Sequence, residues 1–103
     1  MMKLRLTLAL AALAFTAGGA YAQTPDPLQT RSWAAACASC HGTNGNAQPG
    51  SIALAGMPRD DIVQKMLDFK NGRRPATIMH QLAKGYSDEQ IAAIAGYFAD
   101  QRK

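Results

Sequence analysis

The sequence is poor in the groups on which catalysis is usually built. In 103 residues it has two cysteines, two histidines, one tryptophan and seven acidic side chains. A zinc site asks for four ligands, and the cysteines and histidines stop at Cys37, Cys40, His41 and His80. No strand alternation or internal repeat is visible, so the βαβ surroundings expected of a dithiol oxidoreductase are missing. A membrane span needs ~20 apolar residues. The one apolar run, Leu6 to Phe15 with Thr7 inside it, is too short.

That run sits behind Lys3 and Arg5 and ahead of the small residues Ala20-Tyr21-Ala22, the layout of a cleavable secretion signal. Residues 1–22 are therefore expected to be removed, leaving an exported, periplasmic domain over 23–103 with no membrane span. The formal charge of +4 then loses Lys3 and Arg5, and nine basic side chains face seven acidic ones. A surplus of +2 is too small to argue for nucleic-acid binding. An 81-residue domain buries a limited core and commonly needs a disulfide, metal or cofactor to hold it.

What is present is Cys37-Ala38-Ser39-Cys40-His41, the C-x-x-C-H pattern of covalent haem c attachment. Two thiols three residues apart on a helical face reach both vinyl groups of one porphyrin, and the adjacent His41 lies beneath the ring as proximal iron ligand. A plain disulfide would explain the cysteines, but neither His41 nor the missing core.

Met57, Met66, Met79 and His80 compete for the sixth iron position. Ile62, Met66 and Phe69 recur at helical spacing, which assigns Met66 to packing. Met57 stands in a turn close in sequence to the proximal side. Met79 lies 38 residues beyond His41 with a helix between them to carry the chain around the ring, and is the distal ligand of choice. His80 would point ~100° away on a helix and is expected to be exposed.

Leu28 to His41 reads as a first helix, with Trp33 packing in the core or on the last helix. Residues 42–50 are turn chemistry that ends it, and a carbonyl at Pro49 or Gly50 is the expected acceptor for the second ring nitrogen of His41. Arg59–Asn71 forms a second helix with Asp60 and Asp61 in its first turn. Arg73-Arg74-Pro75 is a basic cluster, either solvated surface, docking rim or propionate contact. Ala76 to Lys84 is a short helical segment. Ser87 with Gln90 makes a capping box for a last helix that buries Ile91, Ile94, Ala95 and Phe98, and Gly96 is expected to admit the first helix near Trp33. The fold is all-α, wrapped around its cofactor.

These residues resemble the small class I cytochromes c over nearly all of 23–103. More specifically, Cys40-His41-Gly42-Thr43-Asn44-Gly45-Asn46, Ser51-Ile52-Ala53, Phe69-Lys70-Asn71-Gly72, Thr77-Ile78-Met79 and Ala83-Lys84-Gly85-Tyr86-Ser87 are similar to the cytochrome subunit of flavocytochrome c sulfide dehydrogenase. The resemblance implies one haem c, iron ligation by the methionine of the Thr-Ile-Met string, and an FAD-bearing flavoprotein that oxidises sulfide and passes single electrons onward to a soluble redox acceptor. Gly50 stands where those subunits place a proline, and one haem motif stands where the better-known subunits carry two. The other functions considered are a free electron shuttle and a haem sensor with an open sixth position.

Overall fold

The computed structural model describes residues 18, 19 and 24–103; the signal expected over 1–22 lies, apart from those two glycines, outside the described residues. Among the described residues there are helices and turns and no strand. The first helix, α1 (Pro27–Ala35), starts where Pro27 takes the N1 position and the Asp26 side chain accepts from the Leu28 N–H at 3.3 Å. Asp26-Pro27 is thus the start signal, and the helix begins one residue ahead of the expected Leu28.

The single helix expected to run on to His41 is interrupted. The Cys37 N–H donates to the Ala34 carbonyl at 3.0 Å, a tightened i to i+3 turn, and α2 (Ala38–His41) follows. Ala36 and Cys37 keep helical backbone angles, so the chain direction barely changes. A 3₁₀ turn at Thr43–Gly45 then leads into the loop.

Two long helices complete the frame. Helix α3 (Arg59–Lys70) carries Asp60 and Asp61 in its first turn and Lys70 in its last, charges that suit the helix dipole at both ends. The short α4 (Met79–Ala83) begins three residues later than the sequence suggests, because Ile78 has a non-helical backbone. Ahead of α5 (Asp88–Ala99), Ser87 Oγ accepts from the Gln90 N–H at 3.1 Å and Gln90 Oε1 accepts from the Ser87 N–H at 2.9 Å, the expected capping box.

Helix α5 is the centre of the packing, against α1 on one side and α3 on the other, while α4 lies along α3. Ala34, Ile62, Ile94, Ala95 and Phe98 form the buried cluster, with Trp33, Cys37, Met57, Met66 and Tyr86 packed around it. The expected stripe of Ile91, Ile94, Ala95 and Phe98 is buried throughout. Gly96 is different: its nearest neighbour outside α5 is Arg59 at the start of α3, 3.7 Å from where a Cβ would sit. The α1 contact with α5 runs instead through the small side chain of Ala34 and its neighbours, which need no glycine.

Candidate functional site

Cys37, Cys40 and His41 are set by the α1–α2 junction. The Cys37 carbonyl accepts from both Cys40 N–H, at 3.3 Å, and His41 N–H, at 2.9 Å, so the three residues occupy one helical turn. Both thiols are free; Cys37 is half-buried against the core and Cys40 is exposed. Burial pushes the Cys37 thiol up, partly offset by its backbone hydrogen bond.

The histidine is held from behind. His41 Nδ1 lies 2.6 Å from the carbonyl of Ile52. The acceptor is therefore neither Pro49 nor Gly50, as the sequence suggested, but a residue further along. The Ser51 hydroxyl donates to the Cys40 carbonyl, and Ser51 N–H donates to Gln48 O at 3.1 Å, so Gln48–Ser51 forms a turn that brings the chain back at Ile52, beyond the expected Pro49 and Gly50. With Nδ1 hydrogen-bonded to a carbonyl it carries the proton, which leaves Nε2 with the lone pair a metal takes.

The loop that delivers Ile52 is anchored twice. Leu54 N–H and Ala55 N–H both donate to the Gly45 carbonyl, at 2.9 and 3.1 Å, and Gly56 N–H donates to the Phe98 carbonyl at 2.9 Å. Gly45 is buried at φ +79°, and a Cβ there would stand 2.7 Å from Ala55 N and 2.9 Å from Phe98 Cδ1. Only glycine permits that approach. Tyr97 also donates to Asn44 Oδ1 at 2.6 Å, tying the loop's start to α5.

Met79 opens α4 and is half-buried, as is its neighbour His80. The expectation of an exposed His80 is corrected: its Nδ1 is buried without a hydrogen-bond partner. Helix α4 lies against α3, and Gln81 and Leu82 take the outward face, so the neighbour of Met79 is turned inward. Met57 and Met66 pack on the core, with Lys65 Nζ 3.8 Å from the Met57 sulfur. Of the basic cluster, Arg73 pairs with Asp68 at 3.4 Å and Arg74 lies 5.7 Å over the Phe69 ring, so both fold back onto the end of α3.

These residues fit a covalent haem. Two unpaired thiols and an imidazole with its rear nitrogen occupied stand in one turn. Of the four large apolar side chains left in solvent among the described residues, Ile52, Ile78 and Leu82 belong to the segments around His41's acceptor and Met79. Exposed apolar side chains gathered around a site mark a surface that another apolar body covers. A concavity of about 450 Å³ between Asn46, Ala53, Met57 and Lys103 includes none of the four expected haem contacts.

Comparison with known proteins agrees. The family model described as cytochrome c oxidase, cbb3-type, subunit III matches residues 29–98. The chain is 43% identical over 67 residues to the cytochrome subunit of sulfide dehydrogenase of Chlorobaculum tepidum, covering 65% of this chain and 61% of that one. It is 38% identical over 103 residues to cytochrome c4 of Pseudomonas aeruginosa, covering 99% of this chain and 48% of that one. A solved cytochrome c4 from Acidithiobacillus ferrooxidans superposes with a TM-score of 0.63 at 29% identity, covering 69% of this chain and 49% of that chain. The chain thus spans between half and three fifths of the length of these relatives. With the family model over its whole helical body and an all-helical neighbour of the same build, the chain belongs to the c-type cytochromes of class I fold and is an electron carrier with a covalently bound haem c.

Proposed function

We propose that the protein is an exported, periplasmic monohaem cytochrome that takes single electrons from an FAD-bearing, sulfide-oxidising flavoprotein and hands them to a soluble redox acceptor. The observation that carries the sulfide reading is the 43% identity to a sulfide dehydrogenase cytochrome subunit. The haem supplies a reversible one-electron couple. The chain's own residues hold it: Cys37 and Cys40 as thioethers, His41 as the proximal ligand and Met79 as the distal one.

Each residue has a definite task. The Ile52 carbonyl fixes the His41 ring by its Nδ1 proton and raises the basicity of Nε2. Held by His41 and Met79, the iron would have a raised reduction potential and little affinity for added ligands. Ile52, Ile78 and Leu82 exclude water from the ring faces. No side chain transfers a proton or attacks a substrate, so the bond chemistry belongs to the flavoprotein.

Co-purification from the native source tests the partnership. A flavin-bearing chain eluting with the cytochrome supports the subunit role; a cytochrome that always elutes alone refutes it. The likeness to cytochrome c4 over 99% of the chain favours the second reading, a free shuttle with a docking face below ~1,200 Å². Export is tested by the mass of the periplasmic protein, expected to begin at Gln23 and carry one haem.

A further inference from the structure

The segment that carries Met79 is long, and its one short helix, α4, lies along α3 with Ala83 buried. It leaves α3 after Lys70 and rejoins the frame at α5, and between these ends α4 has only five residues and no side-chain cap. A helix so short has little stability of its own. Packing on α3 holds its middle, and its two ends are what remains to be fixed.

One side chain stands at both ends. Lys70 Nζ donates to the Tyr86 carbonyl at 2.7 Å and to Asp88 Oδ1 at 2.9 Å. Its side chain is 26% exposed against 70% for Asp88, so the ammonium is partly withdrawn from water. Charge-assisted hydrogen bonds of this length are the strong kind. Closing the 71–87 segment on a single ammonium also removes much of its conformational freedom.

The exit point matters for the haem as well. Tyr86 packs on the same core as Cys37. Pinning Tyr86 therefore registers the methionine-bearing segment against the covalently attached side of the site. At the near end, Arg73 N–H donates to the Asp68 carbonyl at 2.8 Å, which turns the chain back over α3.

We propose that Lys70 is a positioning residue for the sixth iron ligand: by clamping Tyr86 and Asp88 it keeps the segment taut, and Met79 in place on the iron. The proposal rests on the assignment of Met79 as distal ligand. Removing the clamp leaves the helices standing and frees the segment to swing away, so an added ligand competes with the methionine more easily.

The test uses the ferric holoprotein, titrated with imidazole and followed by the weak Fe(III)–thioether absorption band, with far-UV circular dichroism melting in parallel. Lys70→Met keeps the aliphatic stem and deletes both bonds. It is expected to bind imidazole about tenfold more tightly than the parent and to lose the thioether band on heating well before its helices melt. Lys70→Arg, which can serve both acceptors, is expected to return near the parent. Lys70→Gln gives the same reading should the methionine variant not accumulate.

Imidazole affinity of Lys70→Met within about twofold of the parent refutes the clamp. So does a band lost only in step with helix melting, which is the signature of a general stabilising contact. Met79→Ala separates the two assignments. A thioether band that survives in Met79→Ala overturns the ligand and the clamp together, whereas its loss there, with Lys70→Met unchanged, overturns the clamp alone.

Discussion

Gly45→Ala tests how the loop behind the proximal histidine is held. The backbone at Gly45 has φ +79°, a region that costs an L-residue about 1–2 kcal/mol. The added methyl would also stand 2.7 Å from Ala55 N and 2.9 Å from Phe98 Cδ1. One neighbour is backbone and the other is a buried ring, 1% exposed, so neither can give way cheaply. Forcing a methyl into such packing costs about 1–3 kcal/mol more. The expected loss is ~2–5 kcal/mol.

Gly50→Ala is the control. It too has positive φ, +92°, but nothing lies within 4 Å of the new methyl. It should lose only the conformational part, about 1–2 kcal/mol. Guanidinium unfolding of both holoproteins, followed by haem absorbance and circular dichroism, gives the difference. An extra ~1–3 kcal/mol appears as a midpoint lowered by roughly 0.3–1 M. The displaced loop should also lengthen the contact of 2.6 Å between His41 Nδ1 and the Ile52 carbonyl. A weaker hydrogen bond makes the imidazole a poorer donor to iron, so the iron–histidine stretching frequency falls in Gly45→Ala and not in Gly50→Ala. Equal losses in the two variants, with equal frequencies, would refute the packing argument and its link to the histidine.

Met79→Ala is expected to leave the haem attached while opening the iron, read as carbon monoxide binding at neutral pH; failure to bind would place the sixth ligand elsewhere. Replacing Cys37 and Cys40 together by Ser should leave a chain without cooperative helix melting, since the cofactor is then lost as core. Ser87→Ala removes half of the capping box and should cost about 1 kcal/mol in chemical unfolding. Burial, and secondarily the nearby Cys37, hold the Tyr86 phenol above the usual tyrosine value. Because that raised value belongs to the folded state, its stabilisation is complete below pH ~10 and is lost as pH rises through the folded value. Tyr86→Phe should remove this part of the alkaline loss, measured as midpoint against pH.

The features legible in the sequence are those with short sequence spans. Ser87 and Gln90 mark the start of α5, and the spacing of Ile91, Ile94 and Phe98 marks its buried face, because capping and amphipathicity act within a few residues. Proximity of Cys37, Cys40 and His41 follows from their spacing alone. What escaped was set by tertiary geometry. The Ile52 carbonyl meets His41 across eleven residues of loop, and Lys70 meets Tyr86 and Asp88 across sixteen and eighteen, with no local pattern to announce either. His80 was misjudged because a five-residue helix has no free back: its far side is α3. The neighbour of Gly96 was misjudged for a related reason, since a glycine marks an available approach and not the element that uses it.

The core explains why polar contacts carry so much of the positioning. Of the eight buried apolar residues among the described ones, Ala34, Ala55, Ala83 and Ala95 are small, and the largest fully buried side chains there are Phe98 and Ile91. Alanines let helices approach closely but bury little area each, and burial scales with area. A protein of this composition has two ways to fix the segments on either side of an iron. One is to fill the space between them, which falls to the porphyrin; the other is to tie each segment to the α5 frame by hydrogen bonds. The proximal tie runs from Gly45 and Gly56 to the Ile52 loop, and the distal tie from Lys70 to Tyr86 and Asp88.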